Sequence, residues 1–161
     1  MNSFMSRRSA ISAAACILAL AVPIAGAANA EPSSRRGAPP VKTNLNIRID
    51  AADLSVIVRL DDNATARDFS KLLPLTLTLE DYAATEKIAY LPRKLTTNGA
   101  PSGITPRAGD VTYYAPWGNL AIFHKDSKDS PGLVKLGEIR DGIDAFKKKG
   151  RLSVTIKLAD E

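Results

Sequence analysis

The stretch NLNIRIDAADLSVIVRL, residues 44–60, decides the fold class. Leu45, Ile47 and Ile49 alternate with Asn46, Arg48 and Asp50. After a short polar turn, Leu54, Val56, Val58 and Leu60 alternate again. A period of two sends alternate side chains to opposite faces of a pleated strand. Two such runs joined by a few residues predict an antiparallel hairpin with one face in a core and the other toward water.

Outward from this hairpin the same period returns. In LPLTLTLEDY, residues 73–82, Leu73, Leu75, Leu77 and Leu79 oppose Thr76, Thr78 and Glu80, and near the C-terminus Leu152, Val154, Ile156 and Leu158 alternate as cleanly. A short strand over 86–91 precedes RKLTTNGAPSGITPRAGD, residues 93–110, whose glycines, prolines and Asn98 predict a long unpaired loop. VTYYA and NLAIFH then form a hairpin through Pro116, Trp117 and Gly118, and LVKLGEI follows the polar turn DSKDSPG. Two segments carry helical signals. Thr65 and Asp68 have capping-box spacing ahead of Phe69, Leu72 and Leu73, with Pro74 as the stop; DGIDAFKKKG places Asp144 in a first turn, Lys147, Lys148 and Lys149 in a last one, and Gly150 beyond.

The resulting order is two strands, a helix, five strands, a helix and a strand. Eight antiparallel strands of this length close into a barrel that side chains just fill, and closure removes every free edge. The expected fold is mainly β, a closed eight-stranded antiparallel barrel with two short capping helices. Its core is expected to include Leu45, Ile47, Val56, Val58, Leu75, Leu77, Ile122, Val154 and Ile156.

The first thirty residues have a different character. Arg7 and Arg8 precede an alanine-rich apolar stretch that ends on the small residues Ala28 and Ala30, which is the pattern of a signal peptide cleaved after Ala30. The paired arginines fit the twin-arginine route as well as Sec, and the expected location is periplasmic or secreted. Residues 31–43 combine prolines, serines and Gly37 with few apolar groups and read as a flexible linker to a domain over 44–160. Cys16 is the only cysteine of the chain and falls in the segment expected to be removed, so thiol nucleophiles and disulfides are excluded from the mature protein. No integral membrane segment is expected there either. The formal net charge is +5, two units of which belong to Arg7 and Arg8, and the remaining basic residues interleave with acids instead of forming a stripe. Nucleic acid is therefore not an expected partner.

Four blocks together carry a family resemblance: ATARDFSKLLPLTLTLEDY (64–82), EKIAYLPRKL (86–95), AGDVTYYAPWGNLAIFHKD (108–126) and GLVKLGEI (132–139). Through them the chain resembles the small bacterial cyclophilin-like proteins. The resemblance implies a cyclophilin-like barrel and little about activity. True cyclophilin isomerases use an arginine from the third strand beside an apolar proline pocket. Here LPLTLTLEDY offers Thr76, Thr78 and Glu80 instead, and Arg93 is the nearest substitute.

Elsewhere the chemistry is sparse. His124 is the only histidine and shares a strand face with Leu120 and Ile122, as a structural histidine does. The acids Asp61, Asp62, Glu80, Asp81, Asp126 and Asp129 sit at turns and strand ends, so neither a metal site nor a cofactor is expected. Aromatic enrichment is the remaining signal: Tyr82, Tyr90, Tyr113, Tyr114, Trp117 and Phe123. Rings near strand ends ordinarily fill a core or a barrel mouth, but Trp117, in a turn, is expected to stand partly exposed. The candidate groove comprises Tyr90, Arg93, Tyr113, Trp117, Asn119 and Phe123. The expected function is a non-enzymatic module binding a peptide, a protein or a small ligand, with a peptidyl-prolyl isomerase or folding helper as the alternative.

Overall fold

A computed structural model describes residues 45–159; the expected signal peptide and linker lie outside the described residues. The chain runs β1 (Asn46–Ala51), β2 (Leu54–Leu60), α1 (Ala64–Ser70), β3 (Leu75–Tyr82), β4 (Glu86–Tyr90), β5 (Gly103–Ile104), β6 (Asp110–Tyr114), β7 (Asn119–Phe123), β8 (Ser130–Pro131), β9 (Leu133–Ile139), a 3-10 turn (Ile143–Lys147) and β10 (Leu152–Leu158). Eight strands close a barrel in the order β1-β10-β3-β4-β7-β6-β9-β2, every pairing antiparallel.

Alternation fixes what fills it. Ile47 and Ile49 of β1 stand opposite Val58 and Val56 of β2 and Ile156 of β10, all buried. With Leu79, Val111, Leu120, Ile122, Leu136 and Val154 they form one continuous core. Of the expected core, Leu45, Leu75 and Leu77 are only partly buried and pack against its edge. Phe69 from α1 and Phe146 from the 3-10 turn are both fully buried and join this core. A filled interior leaves the outer face as the place for a ligand.

Three local expectations are corrected. The helix is capped by Asn63, whose Oδ1 accepts from the Ala66 N–H at 2.8 Å, and not by a box of Thr65 and Asp68. Asn63 Nδ2 also donates to Lys135 O on β9, so the asparagine satisfies the helix end and ties it to the barrel. Thr65 is buried and Asp68 is engaged elsewhere. The second predicted helix is a single 3-10 turn: five residues between Gly142 (φ 87°) and an extended Lys148 are too few for a capped α-helix. The barrel therefore has one helix and one 3-10 turn where two capping helices were expected. Finally, the loop over 93–110 is not wholly unpaired, because Gly103 and Ile104 form a two-stranded ladder with Pro131 and Ser130. Among the described residues no helix is long and apolar enough to cross a membrane.

Candidate functional site

Strand β7 is buried on both of its faces. Leu120 and Ile122 enter the barrel, while Asn119, Ala121 and Phe123 point outward and are nevertheless covered. Their cover comes from Leu133, Ile104 and Tyr114, which pack with Ala121 and Phe123 into a small second core outside the barrel. Gly132 permits the approach: its φ is 81°, and a Cβ there would lie 2.9 Å from Pro116 Cδ. Gly132 N donates to Ser102 O at 2.7 Å and Ala115 N donates to Gly132 O at 2.9 Å, which binds loop 127–131 to both neighbours.

Beyond this cover the outer face opens as a cleft of about 280 Å³ over β4 and β7. The register sets its floor: Glu86 lies opposite Phe123 and Ile88 opposite Ala121, all on the outward side. Tyr82 and Tyr114 contribute from β3 and β6. Trp117 folds back from the β6–β7 turn, its indole meeting both tyrosines edge-on with centroids 5.5 Å apart and interplanar angles of 86° and 77°. Tyr82 and Trp117 remain 42% and 46% exposed, so two walls of the cleft are open to a visitor. Ser127, Asp129, Ser130 and Pro131 form the far rim.

The near rim is a strained turn. Ala83 and Ala84 have φ of 48° and 55°, a conformation that costs about 1 kcal/mol or more for each non-glycine residue. It is held because Thr85 O accepts from both His124 N (2.9 Å) and Lys125 N (3.2 Å).

Two polar groups in the cleft stand out. Asn119 is 2% exposed; its Nδ2 donates to Leu120 O at 3.3 Å, but among the described residues its buried Oδ1 has no partner. Burial pushes the Glu86 carboxyl up to about 7, and among the described residues no cation opposes the shift. Among the described residues, Glu86 and Asp129 are the only charged side chains that line the cleft, and no lysine, arginine or histidine joins them.

Of the six sequence-predicted site residues, Trp117, Asn119 and Phe123 line this cleft and three do not. Tyr90 is 64% exposed at the far end of β4, outside the lining. Tyr113 is fully buried inside the barrel, where its Oη accepts from Leu95 N at 3.1 Å; alternation with Tyr114 decides which of the two adjacent tyrosines faces out. Arg93 is clamped by Asp68, with Nη1 to Oδ2 and Nη2 to Oδ1 both at 2.8 Å. Asp68 Oδ2 also accepts from Thr96 N at 3.0 Å, and these bonds, Arg93 first, hold its carboxyl down at about 2. Arg93 is thus a fastener between α1 and the loop after β4. Sequence reasoning missed Glu86 and the 127–131 rim. The alternation of Glu86, Ile88 and Tyr90 against Lys87 and Ala89 was the available signal for Glu86.

His124 points the other way, to the barrel end where a fully buried Lys87 bonds Asp81 and donates to Gly150 O at 2.8 Å. Burial, then Lys125 and Lys87, depress the imidazole's basicity. Among the described residues no three His, Cys, Asp or Glu side chains gather where a metal could bind.

A family model described as the cyclophilin-like family matches residues 49–157. The chain is also similar to the solution structure of a hypothetical protein from Archaeoglobus fulgidus, at 18% identity and a TM-score of 0.53, over 72% of this chain and 95% of that one. At that identity the likeness speaks for the fold alone. No curated protein matches the sequence.

Proposed function

The chain belongs to the cyclophilin-like family, and from that premise we propose that it is an exported, non-enzymatic binding module that takes a peptide, a protein segment or a small ligand in the cleft over β4 and β7. The observation that carries this reading is the cleft's composition: half-exposed Trp117 and Tyr82 over a floor holding an unpartnered buried acceptor, Asn119 Oδ1. Aromatic walls with few convergent polar groups are the usual make-up of a small recognition site. The signal-peptide pattern of residues 1–30 supports export.

Prolyl isomerisation needs a fixed donor or charge at the twisted amide. Arg93, the candidate for that role, has its guanidinium committed to Asp68 and does not line the cleft. An exchange assay by NMR on a proline peptide is expected to show no acceleration by the protein. Trp117 is the only tryptophan of the chain, so its emission reports on the cleft directly. Titration with a panel of short peptides should give a saturable change in that emission, lost on filling the floor with Ala121→Leu. Saturable binding that Ala121→Leu leaves intact would move the site elsewhere.

A further inference from the structure

We propose that the cleft recognises an alkylammonium group, either a free primary amine or a lysine side chain presented by a peptide. The inference rests on the cleft being the binding site and adds the chemical class of its occupant.

Three features converge on a cation with N–H donors. Among the described residues, the charged groups that line the cleft are the carboxyl groups of Glu86 and Asp129, hydroxyls of Thr85, Ser127, Tyr82 and Tyr114 stand beside them, and the floor holds the buried, unpartnered Oδ1 of Asn119, itself 2% exposed. Among the described residues, Asp129 makes only a 3.4 Å contact with the Thr105 hydroxyl, and no cation neighbours Glu86. The charged side chains that line the cleft are, among the described residues, both acidic, and no lysine, arginine or histidine lines it. Lastly, Tyr82, Trp117 and Tyr114 meet nearly at right angles, which makes a corner of ring faces and edges instead of a stack. A cation in such a corner gains ring attraction together with carboxylate pairing. A neutral apolar ligand would leave Asn119 Oδ1 buried without a donor, and an anionic one would meet two carboxylates.

Ligand binding should also titrate Glu86. The other titratable side chains lining its cleft are Asp129 from the loop, Tyr82 from β3 and Tyr114 from β6; β7 contributes only Asn119, Ala121 and Phe123 there, and Lys87 and His124 face the barrel interior. Ionisation of Glu86 near pH 7 would strengthen the attraction for an ammonium, so affinity should rise with pH through that range.

The test uses the full-length chain, with Trp117 emission and NMR shifts of the cleft residues as readouts. The probes are butylammonium and a capped Gly-Lys-Gly peptide, each against a neutral twin, butanol and the same peptide with acetylated lysine. The cations are expected to bind at least about tenfold tighter than their twins. Glu86→Gln, nearly isosteric, should remove most of that preference and flatten its rise between about pH 5.5 and 8. Asp129→Asn, on the exposed rim, should weaken the cations in the same direction with an unchanged melting midpoint. A peptide that binds much tighter than butylammonium identifies a lysine-bearing chain as the source, and equal affinities identify a free amine. Neutral twins that bind as tightly as the cations would overturn the ammonium assignment while leaving the cleft as a binding site. No response to any of the four probes, with a proline or apolar peptide still shifting the cleft signals, would overturn it equally and spare the broader reading.

Discussion

Strands β2 and β7 lie in the same barrel and face different worlds. In β2 the inward residues Val56, Val58 and Leu60 are buried while Ser55, Ile57 and Arg59 are exposed, Ile57 at 48%. In β7 all five residues are buried, because Ile104, Leu133 and Tyr114 form a second layer over its outer face. One strand has a single structural face, whereas the other has two, and the second ends in a cleft. A recognition site therefore arises here where a partial outer layer stops, while the barrel interior stays filled.

The contrast breaks if outward residues of the two strands prove equally important. The largest expected effect is Phe123→Ala, which removes a ring 3% exposed from the outer layer and should cost about 3–5 kcal/mol. Ile57→Ala, also outward but on β2, should stay within about 0.5 kcal/mol. Denaturant midpoints of the two variants give the comparison, and similar losses would mean that the outer layer contributes nothing. Next comes Gly132→Ala, where a positive φ and the 2.9 Å approach to Pro116 act together. It should destabilise by about 1–3 kcal/mol and shift Trp117 emission, because the displaced loop is the cleft's far rim.

Two smaller effects follow pH. Asp68 is held down at about 2 in the folded protein, against an ordinary 3.8, chiefly by Arg93. Its contribution to stability is present above the ordinary value and lost as pH falls through about 2. Arg93→Ala should therefore lower the melting midpoint at neutral pH, and the gap from the parent should close under strong acid. Glu86 runs the opposite way. Raised from 4.5 to about 7, its neutral carboxyl favours the fold below the lower value, and that advantage is lost as pH rises through the upper one. Glu86→Gln should gain on the parent between those limits and hold a constant lead above about pH 7, as thermal melts across pH would show.

The contrast also governs what was legible in the sequence. The period of two in residues 44–60 and 152–158 reports a strand with one wet face, and there the strands and their inward residues were readable. In NLAIF the apolar run conceals the period, so sequence gives a strand without showing that Phe123 and Ile122 belong to different cores. The same ambiguity put Tyr113 in the candidate groove when Tyr114 is the outward neighbour. Trp117 was legible because a ring between proline and glycine in a turn has no core to enter. Glu86 and Asp129 were not, since their proximity depends on barrel closure and on the β5–β8 ladder, a pairing of two-residue segments with no periodic signal. Arg93 was misread for a related reason: its partner Asp68 lies in a helix whose cap is Asn63, and a carboxylate already used in capping would not have been free to hold it.

The most direct test of this account is NMR shift mapping on the full-length chain during titration with the lysine peptide. The shifting signals are expected to cluster at Tyr82, Glu86, Tyr114, Trp117, Asn119 and Ala121, with Ile57, Arg59 and Arg140 on the opposite side of the barrel unmoved. Shifts centred on Ile57 and Arg59, where β2 borders a concavity of about 440 Å³, would contradict it.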